Sequence, residues 1–273
     1  MNADIIISEG VSMINAYQKK ILILAIYAGE IMMKNGAEIY RVEDTITRIC
    51  KACGINYIEV FATPSGIFVS LDKGGDENDT QTYIKRIKGT GTDLNKISMI
   101  NEFSREFTTT DLSVEAGMKI LKKIDNQKSY PAGLRLLGAA LIASCYCMIF
   151  GGNMIDFGIA FPAGMICYAF SRFLARYETN FFIQGFCCCM LSAFIAVFAS
   201  ATIPNASYEP IISGVLMIFV PGVAITNSIR DFLSGDMLSG LARMTEAVLT
   251  AISLAAGAGV VLKLWSYMGG AVL

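Results

Sequence analysis

The 273-residue chain contains no histidine. That removes the commonest general base and the usual imidazole ligand of zinc. Charge is scarce as well, and the scarcity is local. Charged residues make up 16% of the sequence and hydrophobic ones 54%, whereas an average soluble domain is about one-quarter charged. The mean hydropathy is +0.52. Of the 45 charged side chains, 33 lie in residues 1–130 and only 12 in residues 131–273. Windows 136–155, 157–171, 179–208, 210–229 and 247–262 hold no Lys, Arg, Asp or Glu. A helix needs about 20 mostly apolar residues to cross a bilayer core. The second part therefore reads as membrane-embedded and the first as water-exposed.

Other absences narrow the function. A net charge of −1 argues against a nucleic-acid partner, which would want a basic face. No Walker-type Gly-rich loop ending in Lys is present, so ATP drive is not expected. Without histidine and without a recognisable nucleophile–base pair, a membrane-bound enzyme has little support, and no metal or cofactor is expected. The first 20 residues lack a basic stretch and a small-residue cleavage site, so no signal peptide is expected. Of the eight cysteines, Cys145, Cys147, Cys167, Cys187, Cys188 and Cys189 fall in the apolar part, where a thiol behaves as a small hydrophobe. Cys50 and Cys53 form a C-x-x-C that redox or zinc chemistry could use. It lies inside a helical pattern with no second pair, so helix packing is the preferred reading. Nothing in the spacing points to disulfides.

Residues 1–130 are expected to form a cytoplasmic α+β domain. The apolar stretch Ile21–Met33 contains Glu30 and is short for a span; it fits a buried or interfacial helix, closed by Asn35-Gly36 as a left-handed cap. A second helix runs from about Ala37 to Cys53, with Ile39, Val42, Ile46 and Ile49 at helical spacing and Gly54 closing it. Ile55–Leu71 reads as a hairpin turning at Thr63-Pro64-Ser65-Gly66. A polar loop, Asp72–Gln81, leads to a third strand near Tyr83–Ile87. Helices near Asp93–Phe107 and Asp111–Lys123 each start with an Asp suited to N-capping.

Residues 131–273 are expected to form a five-helix transmembrane domain, giving an α-helical polytopic membrane protein overall. The spans are placed near Leu134–Gly151, Met154–Ala175, Asn180–Ile203, Pro210–Ile229 and Met244–Trp265. Lys119, Lys122, Lys123, Lys128 and Arg135 precede the first. Arg172 and Arg176 lie between the second and third, and Arg230 and Arg243 flank the connection between the fourth and fifth. The alternate connections carry no Lys or Arg. By the positive-inside rule the N-terminal domain is cytoplasmic and the C-terminus external, across a cell inner membrane.

Pro221-Gly222 interrupts the fourth span. Proline removes a backbone donor and clashes with the preceding turn. In transporters such breaks create half-helix ends whose free N–H groups face an anion; a plain kink is the alternative. A site at the break would use the N–H groups of Gly222, Val223 and Ala224, with Asn227 one turn on as a side-chain donor. Asp231 and Glu246 are the acids placed to carry a coupling proton, since partial burial raises a carboxyl pKa. Arg230 could instead hold Asp231 ionised, and both acids could lie in water at the interface.

The segments Ala28-Gly29-Glu30 and Asn35-Gly36-Ala37-Glu38-Ile39-Tyr40-Arg41-Val42-Glu43 resemble the opening signature of the threonine/serine exporter family. The hairpin Val60–Ile67 is similar to the family's next block. Gly151-Gly152 and Pro221-Gly222-Val223-Ala224, leading to Asp231, Gly235-Asp236 and Ser239-Gly240, are similar to later ones. One branch of the family exports threonine and serine; another, split into two proteins, is associated with succinate and related dicarboxylates. Fused members carry a second membrane half. The resemblance therefore implies the larger subunit of a split exporter, with a small membrane subunit as partner.

Glu38 with Arg41, and Arg41 with Asp44, are one turn apart, so local ion pairing is the simplest account of the signature. The sharper account makes Glu30, Glu38, Arg41 and Glu43 a cytoplasmic gate. The expected function is a proton-coupled secondary exporter of small carboxylates. The alternative is a channel or sensor gated by its cytoplasmic domain.

Overall fold

The computed structural model describes residues 3–55, 57–72, 81–89, 91–128, 130–177 and 179–269. The chain divides into two compact units. Met1–Lys128 and Val223–Met244 form the first; Ser129–Gly222 and Thr245–Leu273 form the second. Residues 223–244, expected within the membrane domain, thus group with the N-terminal unit.

In the first unit, helix α1 spans Ala3–Lys34 and α2 spans Ile39–Ala52. The expected first helix begins only at Ile21; the observed one continues back to Ala3. Its segment from Ile21 to Met33 is core rather than surface: Ile21, Leu22, Leu24, Ile31 and Met32 are buried. The turn between α1 and α2 has the expected chemistry. Gly36 sits at φ +88, a conformation costly for any residue with a Cβ. Ala37 N–H donates to Met32 O at 3.1 Å, satisfying a carbonyl that the helix end leaves open.

Strands β1 (Tyr57–Thr63), β2 (Gly66–Asp72) and β3 (Gln81–Arg86) form an antiparallel sheet in the order β1-β2-β3. Thr63 pairs with Gly66 across the expected turn. The central part of the expected polar loop, residues 73–80, lies outside the described residues. Ala62, Ile67, Val69 and Leu71 line the inner face and join one core with α1 and α2.

Helix α3 (Leu94–Thr109) is capped by Asp93, whose carboxylate accepts from Asn95 N and Lys96 N. Helix α4 (Val114–Asp125) starts later than expected. Ser113, not Asp111, caps it by accepting from Ala116 N at 3.2 Å, because a cap must sit immediately before the first helical turn to reach its free N–H groups.

The second unit contains α5 (Ala132–Ile149), α6 (Met154–Ala175), α7 (Phe181–Thr202), α8 (Tyr208–Leu216) and most of α10 (Met237–Tyr267). Among the described residues, α5, α6, α7 and α10 are long and apolar enough to cross a membrane. The fourth expected span, Pro210–Ile229, is not one continuous helix. It consists of α8, an irregular stretch at 217–221, and α9 (Gly222–Leu233). Pro221 supplies the reason, since it offers no N–H and its ring disfavours helix in the preceding turn.

Small residues bring the helices of this unit together. A Cβ on Gly214 of α8 would lie 2.7 Å from Cys147 N of α5. One on Gly164 of α6 would lie 3.0 Å from Ala139 O of α5. Such close backbone approach replaces the hydrophobic drive that lipid does not supply. Asp156 is a structural tie: it completes a capping box with Asn153, and its Oδ1 accepts from Ser207 N at 2.7 Å.

Candidate functional site

The signature segment 36–39 is the connection from α1 into α2, and in the first unit it is held by side chains from α9 and the start of α10. Asn227 Nδ2 donates to Gly36 O at 2.7 Å. Arg243 Nη2 donates to Ala37 O at 2.7 Å. Ile39 N–H donates to Asp231 Oδ1 at 3.2 Å. Glu38 receives Arg41 Nη1 at 3.2 Å on one oxygen and Arg230 on the other. The backbone of Gly36, Ala37 and Ile39 and the carboxylate of Glu38 are therefore fixed by residues that lie 191 to 206 positions away in sequence.

Local sequence explains how each group arrives. Asn227, Asp231 and Arg230 lie on α9 at helical spacing, so Asn227 and Asp231 share a face; both are buried. Gly235, at φ +92, ends α9 and turns the chain into α10. Ser228 Oγ donates to Gly240 O at 2.8 Å, tying α9 to the first turn of α10 and so positioning Arg243.

The electrostatics fall into two groups. Burial works against ionisation of Glu38, but its own backbone N–H, Arg230 and Arg41 outweigh it and hold the carboxyl below its usual range. Glu30 behaves alike: burial opposes the charge, and Lys34 at 2.8 Å with Lys85 at 2.9 Å lowers the pKa despite it. Glu43 and Asp231 go the other way. Burial raises Glu43 against the 2.8 Å bond it accepts from Ala62 N, with Asp236 and Asp231 adding to the rise. Burial also raises Asp231 above its ordinary value, opposed by Arg243 and by Ile39 N–H. Arg243 Nε lies 3.4 Å from Asp231 Oδ2, near enough for charge attraction. That oxygen is fully buried and makes no hydrogen bond to any described residue, so the ionised form is incompletely compensated.

The structure gathers some of the sequence-predicted residues and separates others. Glu38, Arg41, Asn227 and Asp231 meet at the 36–39 segment. Glu30 is engaged by Lys34 and Lys85, and Glu43 by the backbone of β1. Gly222 N–H donates to Val220 O at 2.8 Å, while Val223 and Ala224 form the first turn of α9. Glu246 is an exposed residue of α10 in the second unit.

Two pairings differ from expectation. Asp44 is bound by Arg48, not Arg41, and Arg230 binds Glu38 whereas Arg243 faces Asp231. In the sequence Arg243 stands out only as a topology marker; no local pattern pairs it with a backbone carbonyl 206 positions earlier. The C-x-x-C thiols are unbridged. Burial pushes Cys50 up to about 12, which leaves it a packing residue.

The chain matches the ThrE family model, described as "Putative threonine/serine exporter", over residues 23–265. It is 21% identical to "Threonine/serine exporter" of Corynebacterium glutamicum over 250 residues, covering 88% of this chain and 50% of that protein. It is 22% identical to "Probable threonine/serine exporter" of Mycobacterium tuberculosis over 242 residues, covering 88% of this chain and 45% of that protein. It is 22% identical to "Probable succinate transporter subunit YjjP" of Escherichia coli over 258 residues, covering 92% of this chain and 97% of that protein. The chain thus spans about half the length of the two threonine/serine exporters. No solved structure matches it. With the family pattern running through both the 36–39 segment and the residues that hold it, the chain belongs to the ThrE threonine/serine exporter family, which is a family of membrane exporters and not of enzymes.

Proposed function

We propose that the chain is one half of a secondary exporter of small carboxylates, completed by a small membrane subunit and driven by the proton gradient across the cell inner membrane. The substrates are threonine and serine or succinate-like dicarboxylates. The observation that carries this reading is the broken helix: α8 stops, α9 begins at Gly222, and α9 is then held by the signature segment of the N-terminal unit. A new helix start has first-turn N–H groups without intrahelical partners and a positive dipole end, which suits a carboxylate. Val223 and Ala224 are the donors assigned to it. Asn227 gives an amide hydrogen to Gly36 O at 2.7 Å, so its first role is to position α9.

The hold on α9 acts as the cytoplasmic gate, with Glu38 and Arg41 at its centre and Glu30 and Glu43 bracing α1 and α2. Asp231 carries the coupling proton. Its protonation removes a buried charge facing Arg243, which loosens the attachment of α9 to the 36–39 segment. Glu246 is the second candidate proton carrier, and its exposure on an apolar helix favours a partner that covers it.

The N-terminal unit is cytoplasmic and the C-terminus external, as the distribution of Lys and Arg favours. Five crossings require the fourth to be made by α8 and the irregular stretch after it. Nine helical residues rise about 14 Å, and the hydrogen-bonded turn that follows, where Phe219 N–H donates to Leu216 O at 2.8 Å, adds less than extended chain would, so this crossing is shorter than the ~30 Å hydrocarbon core and needs cover from the partner subunit. The name "subunit" of YjjP, which this chain covers almost end to end, supports the two-component reading. The test is copurification followed by efflux. The tagged chain should bring down a small multi-span protein, and proteoliposomes holding both should release radiolabelled substrate when the chain alone does not. Robust efflux from the chain alone would contradict the two-component reading.

A further inference from the structure

Between α2 and α3 lies an open groove of about 730 Å³ lined by Arg41, Asn101, Glu102, Arg105, Glu106 and Thr109 among others. Its chemistry is mixed in sign. Arg105 makes no ion pair with any described residue, and Arg41 uses one of its five N–H donors on Glu38 at 3.2 Å. Two guanidinium groups with donors to spare on one groove are suited to a carboxylate, which accepts such bonds in pairs. Glu102 and Glu106 stand on the same wall of α3, one turn apart, and form no ion pair among the described residues. They repel a second carboxylate and attract an ammonium. Asn101 and Thr109 add an amide and a hydroxyl within the same wall.

We propose that this groove is a binding site for a small zwitterionic amino acid, its carboxylate on Arg105 and Arg41 and its ammonium on Glu102 and Glu106. A dicarboxylate would place one of its charges against the two glutamates, so the groove discriminates against succinate-like ligands. Arg41 also links the groove to the gate. A ligand carboxylate on the free donors of Arg41 shares its positive charge with Glu38, and Glu38 is the residue that binds Arg230 of α9. Occupancy therefore weakens the pull of Arg41 on Glu38 and leaves the carboxylate to Arg230, which tightens the hold on α9; this consequence, unlike the binding, rests on the export reading.

Hydrogen–deuterium exchange of the full chain in detergent, with L-threonine, L-serine or succinate added, locates any binding. The amino acids should slow exchange across residues 98–109, and succinate at equal concentration should not. Arg105→Gln should weaken that protection by about tenfold or more, the loss expected for one charge-assisted pair, while the unliganded protein melts at the wild-type temperature. If Arg105→Gln misfolds, Glu106→Gln serves the same comparison. Absence of amino-acid protection in 98–109, equal protection by succinate, or an undiminished effect in the folded variant overturns the proposal. The outcome is independent of flux: a chain that binds in the groove but exports nothing loses only the export reading, and one that exports without groove protection loses only this site.

Discussion

Asn227 and Gly36, 191 residues apart, share a 2.7 Å hydrogen bond from the Asn227 amide to the Gly36 carbonyl. The acceptor belongs to a turn that requires a left-handed residue, and the donor belongs to the helix that restarts after Pro221. One contact thus ties the left-handed turn between α1 and α2 to the helix that follows Pro221.

Replacing Asn227 by Ala leaves the half-buried Gly36 carbonyl without that donor, a loss of about 0.5–1.5 kcal/mol for an ordinary hydrogen bond. Chemical unfolding of the detergent-solubilised chain without ligand should show this loss. If stability is unchanged and only substrate affinity falls, Asn227 is a substrate ligand and not a positioning residue.

Arg230 is more than half exposed on its side chain, so its pair with Glu38 should contribute no more than about 1 kcal/mol to stability. Arg230→Gln is therefore expected to melt near the wild type yet alter the flux rate. A large drop in melting temperature with normal flux would make the pair structural and remove it from the gate.

Acid acts on the N-terminal unit in two directions. Glu38 and Glu30 have lowered pKa values, so below the unfolded glutamate value of about 4.3 the unfolded chain binds more protons than the folded one. Their stabilisation is present above that pH and is lost as pH falls through the folded pKa. Glu43 is raised; above about 4.3 the folded state binds the proton, so stability falls as pH rises through its folded pKa. Because Asp231 and Asp236 are raised as well, thermal unfolding across pH should show Glu43→Gln weakening the second slope and Glu38→Gln weakening the first. A Glu43→Gln profile that parallels the wild type would refute this assignment.

In the second unit, Gly214→Ala forces a Cβ within 2.7 Å of a backbone nitrogen of α5, whereas a Cβ on Gly138 meets nothing within 4 Å among the described residues. Gly214→Ala should destabilise the chain, and Gly138→Ala should be neutral or stabilising by up to about 1 kcal/mol through helix propensity. Equal effects on melting temperature would contradict the close packing of α5 and α8.

Local chemistry is legible in the sequence, and long-range pairing is not. Gly36, Asp93 and Pro221 announce a cap, a helix start and a helix break, because each acts within one turn of its own position. The start of α1 is obscured, since Gly10 and Asn15 interrupt the apolar pattern before Ile21. Asp111 reads as a cap although Ser113, equally competent, lies two residues on. Residues 210–229 read as a single span, broken at Pro221, because they carry no charge, yet polar Asn227 and Ser228 within it, with Arg230 and Asp231 just beyond, are what draw α9 to the N-terminal unit. The Glu38–Arg41 pair follows the one-turn spacing, but the partner of Asp231 and the second partner of Glu38 lie outside any periodicity, since the arginine beside Asp231 in sequence points to Glu38 and the one facing Asp231 comes from the next helix.

The central claim is that protonation of Asp231 drives carboxylate export, and pH-jump efflux tests it most directly. Proteoliposomes containing the chain and its copurified partner would be loaded with radiolabelled threonine or succinate, and efflux followed after a proton gradient is imposed. The account predicts that the gradient accelerates wild-type efflux, and that Asp231→Asn keeps substrate binding but loses the gradient-dependent part. Wild-type efflux that ignores the gradient, or Asp231→Asn efflux that still follows it, would contradict the account.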